Sequence, residues 1–282
     1  MATLNKAQFL AEVLTLLKKR YKLDPSAAKF TVLEAIVYGI CHEDATRAQA
    51  DTALESFKTG FFDWNEVRVS SIAEIQGVLE AAKIRDAEER ATRLRRFLRQ
   101  LFEKTYAFNL DLLAKKPLKD SVKLLQEYEA LGSDFVLATV TRLALGGHAI
   151  GVDKPTRRAL ERLGVADPDV DNPTLRGALE RAVPKNRGVE FVDLIEELAH
   201  DTCVEGPPDC PRCELKKICP TGIAYKSEPA TKVAAAAAKA PAKVATSKET
   251  PTAAKSAVKP PAPAPAPALA EKTKAKKSGP SK

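Results

Sequence analysis

Apolar residues recur every three or four positions across most of residues 4–200, the period of amphipathic helices rather than strands. Residues 4–20 carry one such stripe, broken by Lys and Glu. Asp24-Pro25 opens a turn, residues 28–41 are apolar enough to form a buried helix, and residues 45–58 continue as a helix with one polar face. Residues 60–64 read as a turn holding Phe61, Phe62 and Trp64. A helix is expected at 71–81 with Ser70 or Ser71 as its cap, and a long charged one at 85–105. Further helices are expected at 118–129, 135–144, 155–163, 173–183 and 188–200. Gly132-Ser133 separates the first two of these, and Gly146-Gly147 ends the second. No useful alternating pattern and no internal repeat interrupts the series, so an all-α fold is predicted.

In the 85–105 helix, Leu94, Phe97, Leu98 and Leu101 mark the buried stripe, and Arg90, Arg93, Arg96 and Lys104 are expected off it. Arg90, Arg93 and Arg96 at spacings of three suggest one stripe able to track phosphates; the plainer reading is a solvated face. Trp64 and Cys41 read as core residues, and His42 as a satisfied residue at a helix end.

Composition divides the chain. Residues 226–282 are almost wholly Ala, Lys, Pro, Ser and Thr, too poor in apolar surface to offset ordering entropy, and are expected to be disordered. Residues 1–225 are expected to form the folded body, large enough for one or two helical lobes. Charge divides the same way. The tail holds 12 Lys and 3 Glu for +9 and the whole chain is +8, so the body carries −1. A flexible Lys-rich tail suits non-specific contact with phosphate backbones through counterion release; the alternative is a solubilising extension. No export signal and no long apolar run are visible, so no membrane span is expected.

Four of the five cysteines, Cys203, Cys210, Cys213 and Cys219, fall within 17 residues at spacings of 6, 2 and 5. In a chain without an export signal such crowding points to a metal centre rather than disulfides. Thiolate-only ligation suits either zinc or a four-iron cluster, and structural zinc sites usually use two C-x-x-C pairs where this chain has one.

This spacing, after a helix ending His200-Asp201-Thr202, resembles the iron–sulfur branch of the endonuclease III-like helix-hairpin-helix DNA glycosylases. The resemblance spans roughly residues 28–222, with its specific motifs in the C-terminal third. It implies a two-lobed fold with a [4Fe–4S] cluster on those four cysteines in a C-terminal loop, zinc being the alternative. It also implies a hairpin around Gly132 and Ser133 that approaches a DNA phosphate, and a catalytic carboxylate at Asp153, with Lys154 beside it. In the family that carboxylate faces the sugar as the N-glycosidic bond breaks. Asp153 is followed by Lys154-Pro155-Thr156, so its own sequence context also fits a plain helix cap. By resemblance, residues 41–46 sit where relatives place a polar helix end that enters the duplex.

The chain departs from the family pattern in three places. The hairpin keeps one glycine and adds Asp134. The stretch from Phe135 to Thr139 has no lysine to form a Schiff base, and Lys154 points about 100° away from Asp153 if both are helical. The loop 204–209 carries Glu205 and Asp209 where relatives present basic residues. The resemblance therefore implies a DNA-binding base-excision-repair protein. A monofunctional N-glycosylase acting on double-stranded DNA without AP-lyase activity is expected, cytoplasmic (nucleoid-associated if prokaryotic) and monomeric. The alternatives are a catalytically inactive iron–sulfur DNA-binding protein on the same scaffold and, further off, a cluster protein with no DNA partner.

Overall fold

A computed structural model describes residues 6–22 and 29–227. The proposed disordered tail lies outside the described residues, apart from Lys226 and Ser227 at its start, which close a helix. Among the described residues there are twelve α-helices and no strand. They are α1 (Lys6–Arg20), α2 (Val32–His42), α3 (Arg47–Gly60), α4 (Trp64–Val69), α5 (Ile72–Ala81), α6 (Ala87–Thr105), α7 (Leu118–Gln126), α8 (Asp134–Leu143), α9 (Lys154–Arg162), α10 (Asn172–Ala182), α11 (Gly188–Asp201) and α12 (Pro220–Ser227). No helix among these residues is long and apolar enough to cross a membrane.

The starts of the helices follow from their caps. Thr31 with Glu34, Thr46 with Gln49 and Ser71 with Glu74 form reciprocal capping boxes on α2, α3 and α5. Asp63 accepts from the Glu66 N–H at 2.8 Å and so starts α4, a helix that begins at the last residue of the expected 60–64 turn and runs through a stretch where no element was expected. At six residues, α4 is too short to show a period.

The helices pack into two lobes around separate cores. The first core runs from Val32 to Val140 through α2–α8. The second joins Leu10, Val13, Leu14 and Leu17 of α1 to residues of α9, α10 and α11 and to Leu215 and Cys219. Burying each of those α1 side chains stabilises by about 1.5–3 kcal/mol. Helices α2 and α8 cross closely because Gly39 has no side chain; a Cβ there meets Val136 Cγ1 at 3.1 Å.

One expectation fails on α6. Arg90 does not lie off the buried stripe: it is 4% exposed. Three residues along a helix turn the chain by 300°, so each step of three slips about 60° around the axis. Arg90, Arg93 and Arg96 therefore fan from the core towards solvent instead of forming one stripe.

Candidate active site on the lobe boundary

Asp153 stands at the N-cap of α9, where the two lobes meet. Its Oδ1 accepts the Thr156 N–H at 3.0 Å, and its Oδ2 accepts the Asp44 N–H at 3.1 Å. Asp44 follows the end of α2 and is held in the left-handed region at φ 56°. Its own Oδ1 accepts the Lys154 N–H at 2.9 Å, and its Oδ2 lies 3.0 Å from Lys154 Nζ. Asp153 is thus a helix cap, as its sequence context suggested, and also the partner of a strained residue on the other lobe. It is 6% exposed. Burial pushes its carboxyl above the ordinary value; hydrogen bonds from Thr156 and Asp44 pull it back, while the charge of Asp44 pushes it further up.

The segment before α8 is tied to the first lobe. Arg93 Nε donates to the Ala130 carbonyl at 2.8 Å, and its Nη1 lies 2.6 Å from Glu43 Oε2. The Ser133 hydroxyl donates to Glu43 Oε1 and caps α8 through the Val136 N–H. Gly132 has φ −65°, and its N–H is spent on the Glu129 carbonyl at 3.1 Å. Asp134, beside them, pairs with Arg176 at 3.3 Å. The hairpin is therefore a closed turn flanked by acids.

These groups surround a cleft of about 410 Å3. Asp153, Lys154, Ser133 and Arg93 all line it. Its acids are Glu43, Asp44, Asp86, Glu89, Asp134 and Asp153, against Arg90, Arg93 and Lys154. Of these cations Lys154 is the most exposed, its side chain being 85% exposed while its Nζ pairs with Asp44. Arg90 donates to the carbonyls of Arg85 at 2.9 Å, Ile40 at 2.5 Å and Glu43. Those bonds hold the end of α2 and with it Asp44, so Arg90 supports the site from beneath. Arg96 lies outside the cleft, half-exposed, 3.3 Å from Glu129. Lysine is absent from the first turn of α8, and Phe135 is buried there against His42, ring centroids 5.7 Å apart. Gly151 permits this, since a Cβ would come within 2.9 Å of the Phe135 ring.

His42 is not the satisfied residue expected at a helix end. It is 2% exposed, and its Nδ1 has no partner. Cys41 is fully buried in the first core, and Trp64 packs against that core half-buried. The sequence marks Glu43 and Asp44 only as part of the polar helix end at residues 41–46; nothing in it ties Asp44 to Asp153 or seats Phe135 against His42.

The four clustered cysteines are all free thiols, Cys210 and Cys219 buried and the other two half-buried. They line one small cavity, about 20 Å3, together with Leu163, Leu198 and Leu215. Arg162 secures their loop, donating to the carbonyls of Cys203 at 3.3 Å, Val204 at 2.8 Å and Gly206 at 2.7 Å. Arg158 adds bonds to Cys203 and Ala199 at 3.1 and 2.9 Å. Burial pushes the thiols of Cys210, Cys213 and Cys219 up, and neighbouring thiolates push them further. Such a set ionises readily only around a cationic group. Among the described residues no three His, Cys, Asp or Glu side chains converge on a single-ion geometry. Glu205 of this loop reaches Arg85 at 3.4 Å, an exposed pair.

No protein-family model matches the chain, and no curated protein matches it. Solved structures do. A non-covalent endonuclease III–DNA complex aligns with a TM-score of 0.63 at 16% identity over 81% of this chain and 100% of that one. A trapped endonuclease III–DNA covalent intermediate gives 0.61 at 17% identity, covering 80% and 100%. A thermostable thymine-DNA glycosylase gives 0.58 at 18% identity, covering 79% and 100%. At these identities the likeness establishes the fold.

Proposed function

We propose that this chain, built on the endonuclease III-like all-α fold, is a DNA-binding base-excision-repair protein and a monofunctional DNA N-glycosylase. Its substrate is a damaged or mismatched base in double-stranded DNA. The observation that carries this reading is Asp153: a buried carboxylate at the N-cap of α9, fixed by Thr156 and Asp44, on the wall of the cleft between lobes. A base turned out of the duplex enters such a cleft, at the cost of unstacking. As the N-glycosidic bond breaks, positive charge develops on the sugar, and the ionised Asp153 stabilises it electrostatically. Water then takes the place of the base. Phe135 occupies the start of α8, so no amine attacks the sugar and the strand stays whole. Lys154 Nζ is engaged with Asp44. Gly132, Ser133, Arg93, Arg96 and Lys154 border the face that meets the duplex.

Cys203, Cys210, Cys213 and Cys219 are the residues that would hold a [4Fe–4S] cluster. Four thiols lining one cavity offer the all-sulfur ligation that a four-iron cluster takes, and their single C-x-x-C pair departs from the two pairs usual for structural zinc. The cluster would supply positive charge to stabilise four thiolates and a redox-active centre. Arg158 and Arg162 fix the cysteine loop to α9, the helix that Asp153 caps.

A second reading, a catalytically inactive DNA-binding protein, is favoured by the closed turn at Gly132 and the acids flanking it. One experiment separates the two. The full chain is incubated with duplexes carrying oxidised, deaminated or mismatched bases. The expected result is a free base and an intact strand that breaks only on alkali or heat, abolished in Asp153→Asn. Spontaneous nicking that depends on Asp153 refutes monofunctionality, and binding without release from any duplex leaves the inactive scaffold.

A further inference from the structure

Behind the cleft, ionisable groups of both kinds, most of them buried, meet across the lobe boundary. The first lobe supplies His42 at the end of α2, Arg47 in the first turn of α3 and Arg142 near the end of α8. The second supplies Asp193 and Glu196, both 7% exposed and one turn apart on α11. Arg47 pairs with Asp193 and lies 4.0 Å from Glu196, and Arg142 lies 3.6 Å from Asp193. His42 Nε2 is 3.5 Å from Glu196 Oε2. Both Glu196 oxygens and His42 Nδ1 are buried without a hydrogen-bond partner. Buried polar groups are almost always satisfied, so three such atoms in one place need a reason.

We propose that Glu196 is a positioning residue for Asp153: its carboxyl, seated against His42, clamps α11 to the end of α2 and so fixes Asp44, two residues on, as the donor to Asp153.

The electrostatics agree with this geometry. Burial, the largest influence on both groups, pushes Glu196 up to about 8 and His42 down to about 3. At neutral pH Glu196 holds its proton and His42 is uncharged. Asp153 and Asp193 push Glu196 further up, while Arg142 and Arg47 act against them. Arg142, Arg47, His200 and Arg90 press on His42. Tyr38, also on α2, is pushed up chiefly by burial, with Asp51 and, where ionised, Glu196 adding to it against Arg47 and Arg142. An ionised Glu196 would set a second negative charge near Asp153 and strain the clamp.

The catalytic part of this proposal rests on the glycosylase reading; the clamp does not. The test uses the full chain as wild type, Glu196→Gln and Glu196→Ala, with two readouts. The first is unfolding stability against pH. A carboxyl raised from 4.5 to about 8 stabilises fully below the lower value, and that stability is lost as pH climbs through the higher. Glu196→Gln keeps the shape without the titration, so the decline between pH 4.5 and 8 should flatten. The second readout is Asp153-dependent base release. Glu196→Gln should stay within about threefold of wild type at neutral pH and extend the alkaline limb, while Glu196→Ala should lower kcat about tenfold or more with KM little changed. Full activity in Glu196→Ala, or unchanged pH profiles in Glu196→Gln, overturns the positioning role. If the wild type releases no base, the glycosylase reading has failed. The stability profile then decides the clamp alone, and an unflattened Glu196→Gln curve removes it. Should Glu196→Ala not fold, Glu196→Gln carries both readouts.

Discussion

Asp44 and Asp153, 109 residues apart, meet across the lobe boundary with the backbone N–H of one donating to the carboxylate of the other at 3.1 Å. Asp44 returns the link by accepting from Lys154, the next residue after Asp153. Two acids at this range repel, and the pair holds because each carboxylate faces an N–H rather than its counterpart.

Asp153→Asn should reduce base release about 100-fold or more, because a neutral amide cannot stabilise a cationic sugar. Stability should fall by only about 1 kcal/mol, since Asn still caps a helix but gives up one of the two accepted bonds. Single-turnover assays and urea unfolding, run side by side, check the two halves. A large loss of stability would recast Asp153 as structural.

The acid limb of base release should lie at higher pH than an ordinary aspartate would give, because Asp153 must ionise and burial raises its carboxyl. Removing the neighbouring charge in Asp44→Asn should move this limb to lower pH. Asn tolerates the left-handed backbone at that position, so the N–H stays in place. Rate profiles of the two proteins against pH are the measurement. A limb that does not move would mean the Asp44 charge has no hold on Asp153.

Arg90→Ala and Arg96→Ala should behave as opposites despite their common helix. Arg90 satisfies three backbone carbonyls in the interior, and its loss should cost about 3 kcal/mol or more. Arg96 is half-exposed and its pair is screened, so its loss should cost about 0.5 kcal/mol or less. Denaturant midpoints decide. Comparable losses would undo the assignment of Arg90 to the interior.

Protein prepared anaerobically with iron and sulfide should contain both in equal amounts, and Cys210→Ala should lose them together with part of its stability. Elemental analysis that finds one zinc per chain and no sulfide would replace the cluster with the alternative metal.

Deleting residues 228–282 should weaken duplex binding and flatten its dependence on salt, because that segment carries most of the chain's excess positive charge. Binding titrations at several salt concentrations test this. An unchanged slope would move the phosphate contacts onto the helical body.

The helices were readable wherever a long period coincided with a cap. Residues 71–81 and 155–163 were expected within a residue or so of α5 and α9, because Ser71 and Asp153 announce them. The cysteine spacing was legible because its ligands are local in sequence. The fan of Arg90, Arg93 and Arg96 was misread because a spacing of three mimics a stripe only over one step. The buried charges behind the cleft were invisible for a different reason. His42 and Glu196 lie far apart in the chain, and each alone looks like a surface residue of an amphipathic helix. Only the meeting of two lobes gives them a shared environment.

Helix α1 belongs to the second lobe, and Arg20 and Asp201, 181 positions apart, join it to α11 at 2.7 Å. During synthesis, the first lobe can therefore close as soon as α8 has emerged, using one continuous stretch of chain. The earliest helix made must wait, with Leu10, Val13, Leu14 and Leu17 uncovered, until α11 arrives near the end. That interval is the window in which a nascent chain is most open to aggregation and to chaperones.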